Sequence, residues 1–299
     1  LINGSYNNSL FLNKYKILSP FMNKYDLHSH TINSDGSLTA TQLIDLAIEK
    51  EVTHLAITDH DTVNAHLQLA QLPEPYESDK ISIIKGVEFS SQWNNMGVHI
   101  VGLNINIHSA AISEAVNKQT QIRLQRLSTI AHKLTKKGFP DITEGALAVA
   151  GDSQIGRPHI AQYMVQEGMV RSVGQAFTKY LGAGKVGDVS SVWPDLEQVL
   201  AWIHDAGGVA VVAHPSRYKM TRTKRRRLMA DFADAGGQAI EVCTGNQVPG
   251  VAEEMAALCD TFDFHGSVGS DFHNLEYQWV KLGRYPKLPN QCRPVWELF

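Results

Sequence analysis

Only three cysteines, Cys243, Cys259 and Cys292, occur in the 299 residues, and they stand far apart with no CxxC pair. So odd and scattered a set argues against a disulfide framework or a thiolate zinc site and fits a reducing cytoplasm. No apolar run approaches the roughly 20 residues of a membrane span, so no membrane partner is expected. A surplus of positive charge is missing too. Lys+Arg number 27 against Asp+Glu 30, a net charge of -3, which excludes binding nucleic acid through a wholesale basic surface and leaves only local contacts. Internal repeats and low-complexity tracts are absent. What remains, 43% hydrophobic and 19% charged residues, is the composition of a globular protein with a substantial core.

Residues 1–21, LINGSYNNSLFLNKYKILSPF, begin with Leu, are rich in Asn and Ser, and lead into Met22. They read as a tail or a misplaced start. A signal peptide is disfavoured because Asn13, Lys14 and Lys16 break the apolar stretch and no small-residue cleavage site follows. From Met22 onward, short β-branched runs alternate with amphipathic stretches, the pattern of an α/β fold with a largely parallel sheet and crossover helices. The expected strands are Lys24–Leu27, Thr53–Ile57, Ile81–Val87, Val98–Leu103, Gly208–Ala213, Ala239–Val242 and His265–Gly269. Thr39 and Gln42 predict a capping box on a helix to Lys50. Pro194–Asp195 opens a helix carrying Leu196, Val199, Leu200 and Ile203 that stops at Gly207–Gly208. The stretch from Ser109 to Lys185 reads as helix after helix, the first presenting Val116, Leu124, Leu127, Ile130, Ala131 and Leu134 before Lys136, Lys137 and Gly138 end it. The chain thus divides into a catalytic barrel or layer, residues 22–108 and 186–299, and an inserted helical domain, residues 109–185. An independently folded second domain is the rival topology.

Nearly every expected strand ends on a histidine or an acid: DLHSHT (His28, His30), TDHD (Asp59, His60), GVEF (Glu88), AHP (His214) and GSDFH (Asp271, His273). In a barrel of parallel strands the C-terminal ends share one rim, so residues remote in sequence converge there. His28 and His30, two apart on an extended segment, point to one face and suit two ligands of one ion, and Asp271 with His273 repeats the spacing. Asp35 lies in the polar loop NSDGS. His99 interrupts the apolar run VHIVG, where a lone histidine is more often a satisfied core residue. His54, His66, His108, His132, His204 and His265, in helical or loop contexts, have no partner at ligand spacing and read as ordinary. Six histidines and three acids at one rim nonetheless point to a multinuclear metal site.

These motifs, in order and content, resemble those of the polymerase and histidinol phosphatase (PHP) phosphoesterases from Met22 to about His273. The resemblance implies a distorted seven-stranded β/α barrel and a trinuclear site. His28, His30, Glu88 and Asp271 would hold one ion; Glu88 would bridge to a second held by His99 and His214; Asp35, His60 and His273 would hold a third. Glu88, Asp271 and His214 would carry catalytic roles. VHIVGLNI, GRPHIA, YLGAGK and AHPSRY are similar to a bacterial branch of nucleoside 3',5'-bisphosphate phosphatases and the 5'-to-3' exoribonuclease RNase AM. That likeness implies cleavage at the 3' side of a 5'-phosphorylated nucleotide or short RNA, in the cytoplasm, with no obligate protein partner. Histidinol phosphatases match less well.

The charges agree with this chemistry. Three divalent cations against Asp35, Glu88 and Asp271 leave the pocket at about +3, attractive to phosphate. Imidazole and carboxylate ligands suit Mn, Fe or Zn, with Mn favoured by the resemblance. Arg157 and His159 of GRPHIA are candidate phosphate contacts, since a guanidinium forks onto phosphate oxygens; a surface helix start is the alternative. Lys185 and Arg217 are further candidates for that pocket. The run RTKRRR, Arg222 to Arg227, is either an RNA guide or a solvated helix face, and Trp93 and Trp193 are either base-stacking or buried. Rival functions are another small-molecule PHP phosphatase, an amidohydrolase-like deacylase, and a non-catalytic metal-binding regulatory module.

Overall fold

Seven strands form one sheet whose neighbours follow chain order: β1 (Tyr25–Asp26), β2 (His54–Ile57), β3 (Ser82–Trp93), β4 (Met96–Leu103), β5 (Val209–Val212), β6 (Ala239–Thr244) and β7 (His265–Gly269). The computed structural model describes residues 23–72, 80–189, 192–276 and 278–299; the expected tail of residues 1–21 lies outside them. The Leu27 N–H donates to Val268 O at 3.0 Å, and Ser29 bridges Phe272 in parallel. These contacts curl the sheet into a distorted, nearly closed barrel. Asp26, buried at this seam, accepts N–H bonds from Ser270 and Gly283 at 2.8 and 2.6 Å.

The expectation of a largely parallel sheet needs one correction. β3 runs past Val87 to Trp93 and turns directly into β4, so both the β3–β4 and β4–β5 pairs are antiparallel. The turn residues are Asn94 and Asn95, with φ of 45° and 61°. Asparagine tolerates this left-handed backbone, and two such residues make the tight hairpin turn that matches strand twist. The other neighbouring pairs are parallel.

Nine helices surround the described barrel: α1 (Ala40–Glu49), α2 (Asn64–Leu69), α3 (Ala110–Thr135), α4 (Thr143–Ala150), α5 (Arg157–Gln166), α6 (Val173–Ala176, continued by a π turn to Leu181), α7 (Leu196–Asp205), α8 (Arg222–Asp234) and α9 (Val251–Phe262). The capping box forms on α1, with Gln42 N–H donating to Thr39 Oγ1 and Thr39 N–H to Gln42 Oε1. α7 starts under an Asp195 cap and ends before Gly207, whose φ of 72° only glycine adopts at no cost. Leu127, Ile130, Leu134, Ile142, Ile160, Met164 and Leu181 gather from α3 to α6 into an apolar cluster of their own.

The face of α3 differs from the expected one. Leu124 is 45% exposed, while Gln119, Arg123 and Arg126 are buried. Partners explain the exchange, because a buried polar group is tolerated where it is hydrogen-bonded. Gln119 Nε2 donates to Ser90 O at 2.7 Å, Arg126 Nε to Val189 O at 2.6 Å, and Arg123 pairs with Asp61 at 2.6 Å while giving another bond to Ile155 O. Trp93 and Trp193 are buried and do not offer a face to a base. Trp93 donates to Asp231 at 2.7 Å, and Trp193 lies under the guanidiniums of Arg123 and Arg126.

Arg123 therefore docks α3 onto the barrel through a buried ion pair. Replacing it by Met strands Asp61 as an uncompensated buried charge, so Arg123→Met is expected to cost about 3–5 kcal/mol of stability. A urea titration reads this as a lowered midpoint at unchanged slope; a loss under about 1 kcal/mol would show that the pair does not hold the helix.

Candidate metal centre

The extended segment after β1 presents His28 and His30 on one face, fully buried, with Nε2 atoms 3.1 Å apart. Asp271 and His273 follow β7 beside them, and the Asp271 N–H donates to His28 O at 2.9 Å. His60 follows β2 and bridges Glu88 on β3, and His214 follows β5. Asp35 comes from the β1–α1 loop. Asp59 shapes that loop by accepting the Thr31 N–H and hydroxyl at 2.7 Å and the Ser34 hydroxyl at 2.6 Å. His99 arrives by another route: it pairs with Ser90 near the start of β4, and because β4 is antiparallel its start lies at the rim where the parallel strands end. His214 and Asp271 have φ of 33° and 56°, a conformation that costs a non-glycine residue energy and collects at functional sites.

Glu88 is fully buried and its two oxygens face different partners. Oε2 lies 3.1 Å from His28 Nε2, 3.2 Å from His30 Nε2 and 3.0 Å from His60 Nδ1. Oε1 lies 2.9 Å from His99 Nδ1 and 3.1 Å from His214 Nε2. Three sets of donors among the described residues are close enough to share an ion: His28, His30, Glu88 and Asp271; His30, Asp35, His60 and His273; and His60, Glu88 and His99. The first is the set the family resemblance implies. In the others His60 is shared, with Nε2 3.8 Å from Asp35, and His214, whose Nε2 lies 3.1 Å from Glu88 Oε1, joins none of the three sets.

Glu88 Oε2, His60 Nδ1 and Asp35 Oδ1 are buried yet have no hydrogen-bond partner, despite these short separations. Atoms this close without hydrogen-bond geometry face shared points between them, and a cation at such a point satisfies several together. The donor set therefore fits divalent metal. Burial alone would raise the Glu88 and Asp271 carboxyls, but the surrounding imidazoles, His28 foremost, outweigh it and hold both well below the ordinary carboxylate range. Asp35 is lowered likewise, by His273 and His60 against its burial.

One residue that sequence reading passes over completes the centre. Glu241, buried on β6, lies 2.7 Å from His28 Nδ1 and accepts the His214 N–H. Its carboxylate fixes the imidazole so that Nε2 turns inward, the usual support for a metal-binding histidine. A single acid inside the apolar run AIEVC is the signal that marks it. Tyr218 acts at the other end, its hydroxyl accepting the His99 N–H at 2.8 Å.

The phosphate candidates are dispersed. Arg217 reaches the centre, pairing with Asp271 and donating to Gly245 O at 3.0 Å. Arg157 opens α5, donates to Leu181 O at 2.9 Å and lies 3.8 Å from Asp188, with its side chain 31% exposed. His159 is buried, accepts the Gly156 N–H at 3.0 Å and contacts the Ser34 backbone, which ties GRPHIA to the Asp35 loop. Lys185 is exposed on the turn after α6. The histidines read as ordinary stay outside the centre, although His54 and His265 begin strands β2 and β7 and do not lie in helices or loops. No helix among the described residues is long and apolar enough to cross a membrane.

Comparison with known proteins agrees with this geometry. A family model for the PHP domain matches residues 26–208. A 5'-3' exoribonuclease of Haemophilus influenzae is 40% identical over 276 residues, 92% of this chain and 99% of that protein. A 3',5'-nucleoside bisphosphate phosphatase of Chromobacterium violaceum is 38% identical, covering 92% of this chain and 96% of that protein. A solved structure from Chromobacterium violaceum, described as an amidohydrolase with bound sulfate and no metal, superposes with a TM-score of 0.82 at 37% identity, covering 92% of this chain and 95% of that one.

Two outcomes test the centre. Because Glu88 faces two donor sets, Glu88→Gln is expected to lower the metal content found by elemental analysis by more than one ion per chain; an unchanged content would refute the bridging position. Glu241→Gln should leave the fold intact and weaken metal binding about 10- to 100-fold in a competitive chelator titration.

Proposed function

Since this chain belongs to the PHP domain family, we propose that it is a metal-dependent phosphoesterase that cuts at the 3' side of a nucleotide carrying a 5'-phosphate. The main support is the Glu88 carboxylate divided between two sets of imidazoles, the arrangement that a pair of bridged ions requires. Relatives named exoribonuclease and bisphosphate phosphatase, each near two-fifths identity over most of the chain, support the substrate class.

Two or three divalent ions held by His28, His30, Asp35, His60, Glu88, His99, His214, Asp271 and His273, with manganese favoured over iron or zinc, would supply an activated water and offset charge on the departing oxygen. Glu88 spans the two halves of the site, Asp271 fixes the deep half beside His28 and His30, and His214 stands at the open side by Glu88 Oε1. Arg217 lies at the mouth as a donor to a non-bridging phosphate oxygen. Residues 109–185 carry recognition. Arg157 takes the 5'-phosphate with Lys185 from the neighbouring turn, and His159 holds the loop that presents Arg157. A 5'-phosphate and a 3' phosphate on one nucleotide are held at fixed separation, so this pocket measures one nucleotide from the 5' end. When the 3' group is a terminal phosphate, the reaction is a 3',5'-bisphosphate phosphatase; when it is the next nucleotide, it is a 5'-to-3' exoribonuclease working in the cytoplasm.

The test compares RNA bearing a 5'-monophosphate with RNA bearing a 5'-hydroxyl. The wild type should release single nucleotides and prefer the phosphate. Arg157→Ala should erase most of that preference by removing a charge-assisted contact of about 1.5–3 kcal/mol, roughly tenfold to a hundredfold in kcat/KM. Equal rates on both 5' ends, or a preference that survives the substitution, would refute the pocket. Turnover of N-acyl substrates in place of phosphate esters would refute the reaction class.

A further inference from the structure

The donor set of His30, Asp35, His60 and His273 is held differently from the one around His28. His28, Glu88 and Asp271 stand on strands or just past their ends, and Glu241 braces His28 from behind. Asp35 lies on a loop, and a ligand on a loop is placed only as well as that loop's backbone is held. The loop is gripped from three directions. Its Ser37 N–H donates to His273 O at 2.8 Å, which joins two members of the set. Asn33 exchanges amide hydrogen bonds with Gln68 of α2 at 3.2 and 3.0 Å. The third grip comes from the connection between α4 and α5, where the Gln154 N–H donates to Asn33 O at 2.9 Å and the Ser153 hydroxyl donates to Ile32 O.

Gln154 also grips the segment that carries His60. Its side-chain amide has two N–H bonds to give, and both are used: Nε2 donates to Asp61 O at 2.9 Å and to Thr120 Oγ1 of α3 at 2.8 Å. Asp61 immediately follows His60, is fully buried and has a φ of 54°. A residue with a side chain keeps that backbone only where its surroundings hold it there. The Asp61 N–H donates to Glu88 O at 3.0 Å, Oδ1 accepts the Ser90 N–H at 2.7 Å, and Oδ2 pairs with Arg123. Its carbonyl is the group that Gln154 takes. One residue outside the donor sets therefore holds backbone two positions before Asp35 and one position after His60.

We propose that Gln154 is a positioning residue for the ion shared by Asp35 and His60, fixing the separation of two ligands that come from different loops. His60 Nε2 and Asp35 Oδ2 stand 3.8 Å apart, and a site keeps its affinity only if its ligands are held to within about 0.5 Å. Nothing in either loop sets that separation by itself. The amide of Gln154 does so from outside, with its main chain on one loop and its side chain on the other, while Thr120 anchors it to α3. The helical segment, residues 109–185, thus takes part in the metal centre although it supplies no member of the three donor sets. The inference rests on the metal-dependent reading of the centre and is independent of the substrate.

The test is a competitive chelator titration of the full chain with Co2+, whose visible absorption follows each ion as it binds. Gln154→Met keeps the length of the side chain and removes the donor to Asp61 O. It is expected to weaken one bound Co2+ about tenfold and to leave the others unchanged. Gln154→Glu, which keeps the shape and loses the same donor, should give the same loss. In a chain already carrying Asp35→Asn, Gln154→Met should cause no further loss of bound Co2+, because the two substitutions act through one ion. Thr120→Val removes the anchor on α3 but not the bond to Asp61, and should retain the wild-type affinity. Unchanged Co2+ affinity in both Gln154 variants, an equal weakening of every ion, a further loss in the Asp35→Asn chain, or a matching loss in Thr120→Val would each overturn the proposal. A wild type that takes up no Co2+ would remove the metal-dependent reading itself and the proposal with it.

Discussion

A carboxylate with no access to water, ringed by five imidazoles, is the constraint around which this molecule is built. Glu88 meets His28, His30, His60, His99 and His214 within 3.2 Å. A buried charge is costly unless opposite charge and hydrogen bonds compensate it. The compensation is drawn from four separate segments, so no local piece of chain can assemble it. Folding and site formation are therefore one event, and the ions that such a cluster fits would tie the segments together further.

The barrel meets that demand through two topological devices. Parallel strands deliver His28, His30, His60, His214, Asp271 and His273 by ending at one rim. The β3–β4 hairpin reverses direction at Asn94–Asn95 and thereby delivers His99 from the beginning of a strand. Oε1 of Glu88 meets His99 from the hairpin and His214 from the end of β5, while Oε2 meets His28, His30 and His60. The burial of the donors is graded as well: His28, His30 and Glu88 are sealed, while His99 and His273 border solvent.

Around the donors lies a layer of carboxylates that hold backbone and side chains rather than facing the centre. Asp59 shapes the Asp35 loop, Glu241 orients His28 and fixes the backbone at His214, and Asp61 receives Arg123 from α3. The last of these connects the helical segment to the rim by charge, so α3 is held in register with the convergent histidines and acids.

The amino-acid order alone marked the seven strands, though it ended β3 at Val87 and not Trp93, the caps of α1 and α7, and the histidines and acids that converge, because hydrophobic period, capping chemistry and the grouping of His and acids at strand ends are local signals. It did not reveal that β4 runs backwards, since an Asn–Asn turn between apolar runs competes with many other loop readings. Nor did it separate Leu124, exposed on α3, from Arg123 and Arg126, buried beside it; the helical period marks a face, but only a partner across the fold makes burying a guanidinium tolerable. Glu241 escaped for the same reason, as a lone acid in an apolar strand acquires its role from a histidine 213 residues away. Tertiary structure alone decided the sharing of Glu88 between two donor sets and the burial of Trp93 and Trp193, because each depends on distances between segments that the linear order leaves unspecified.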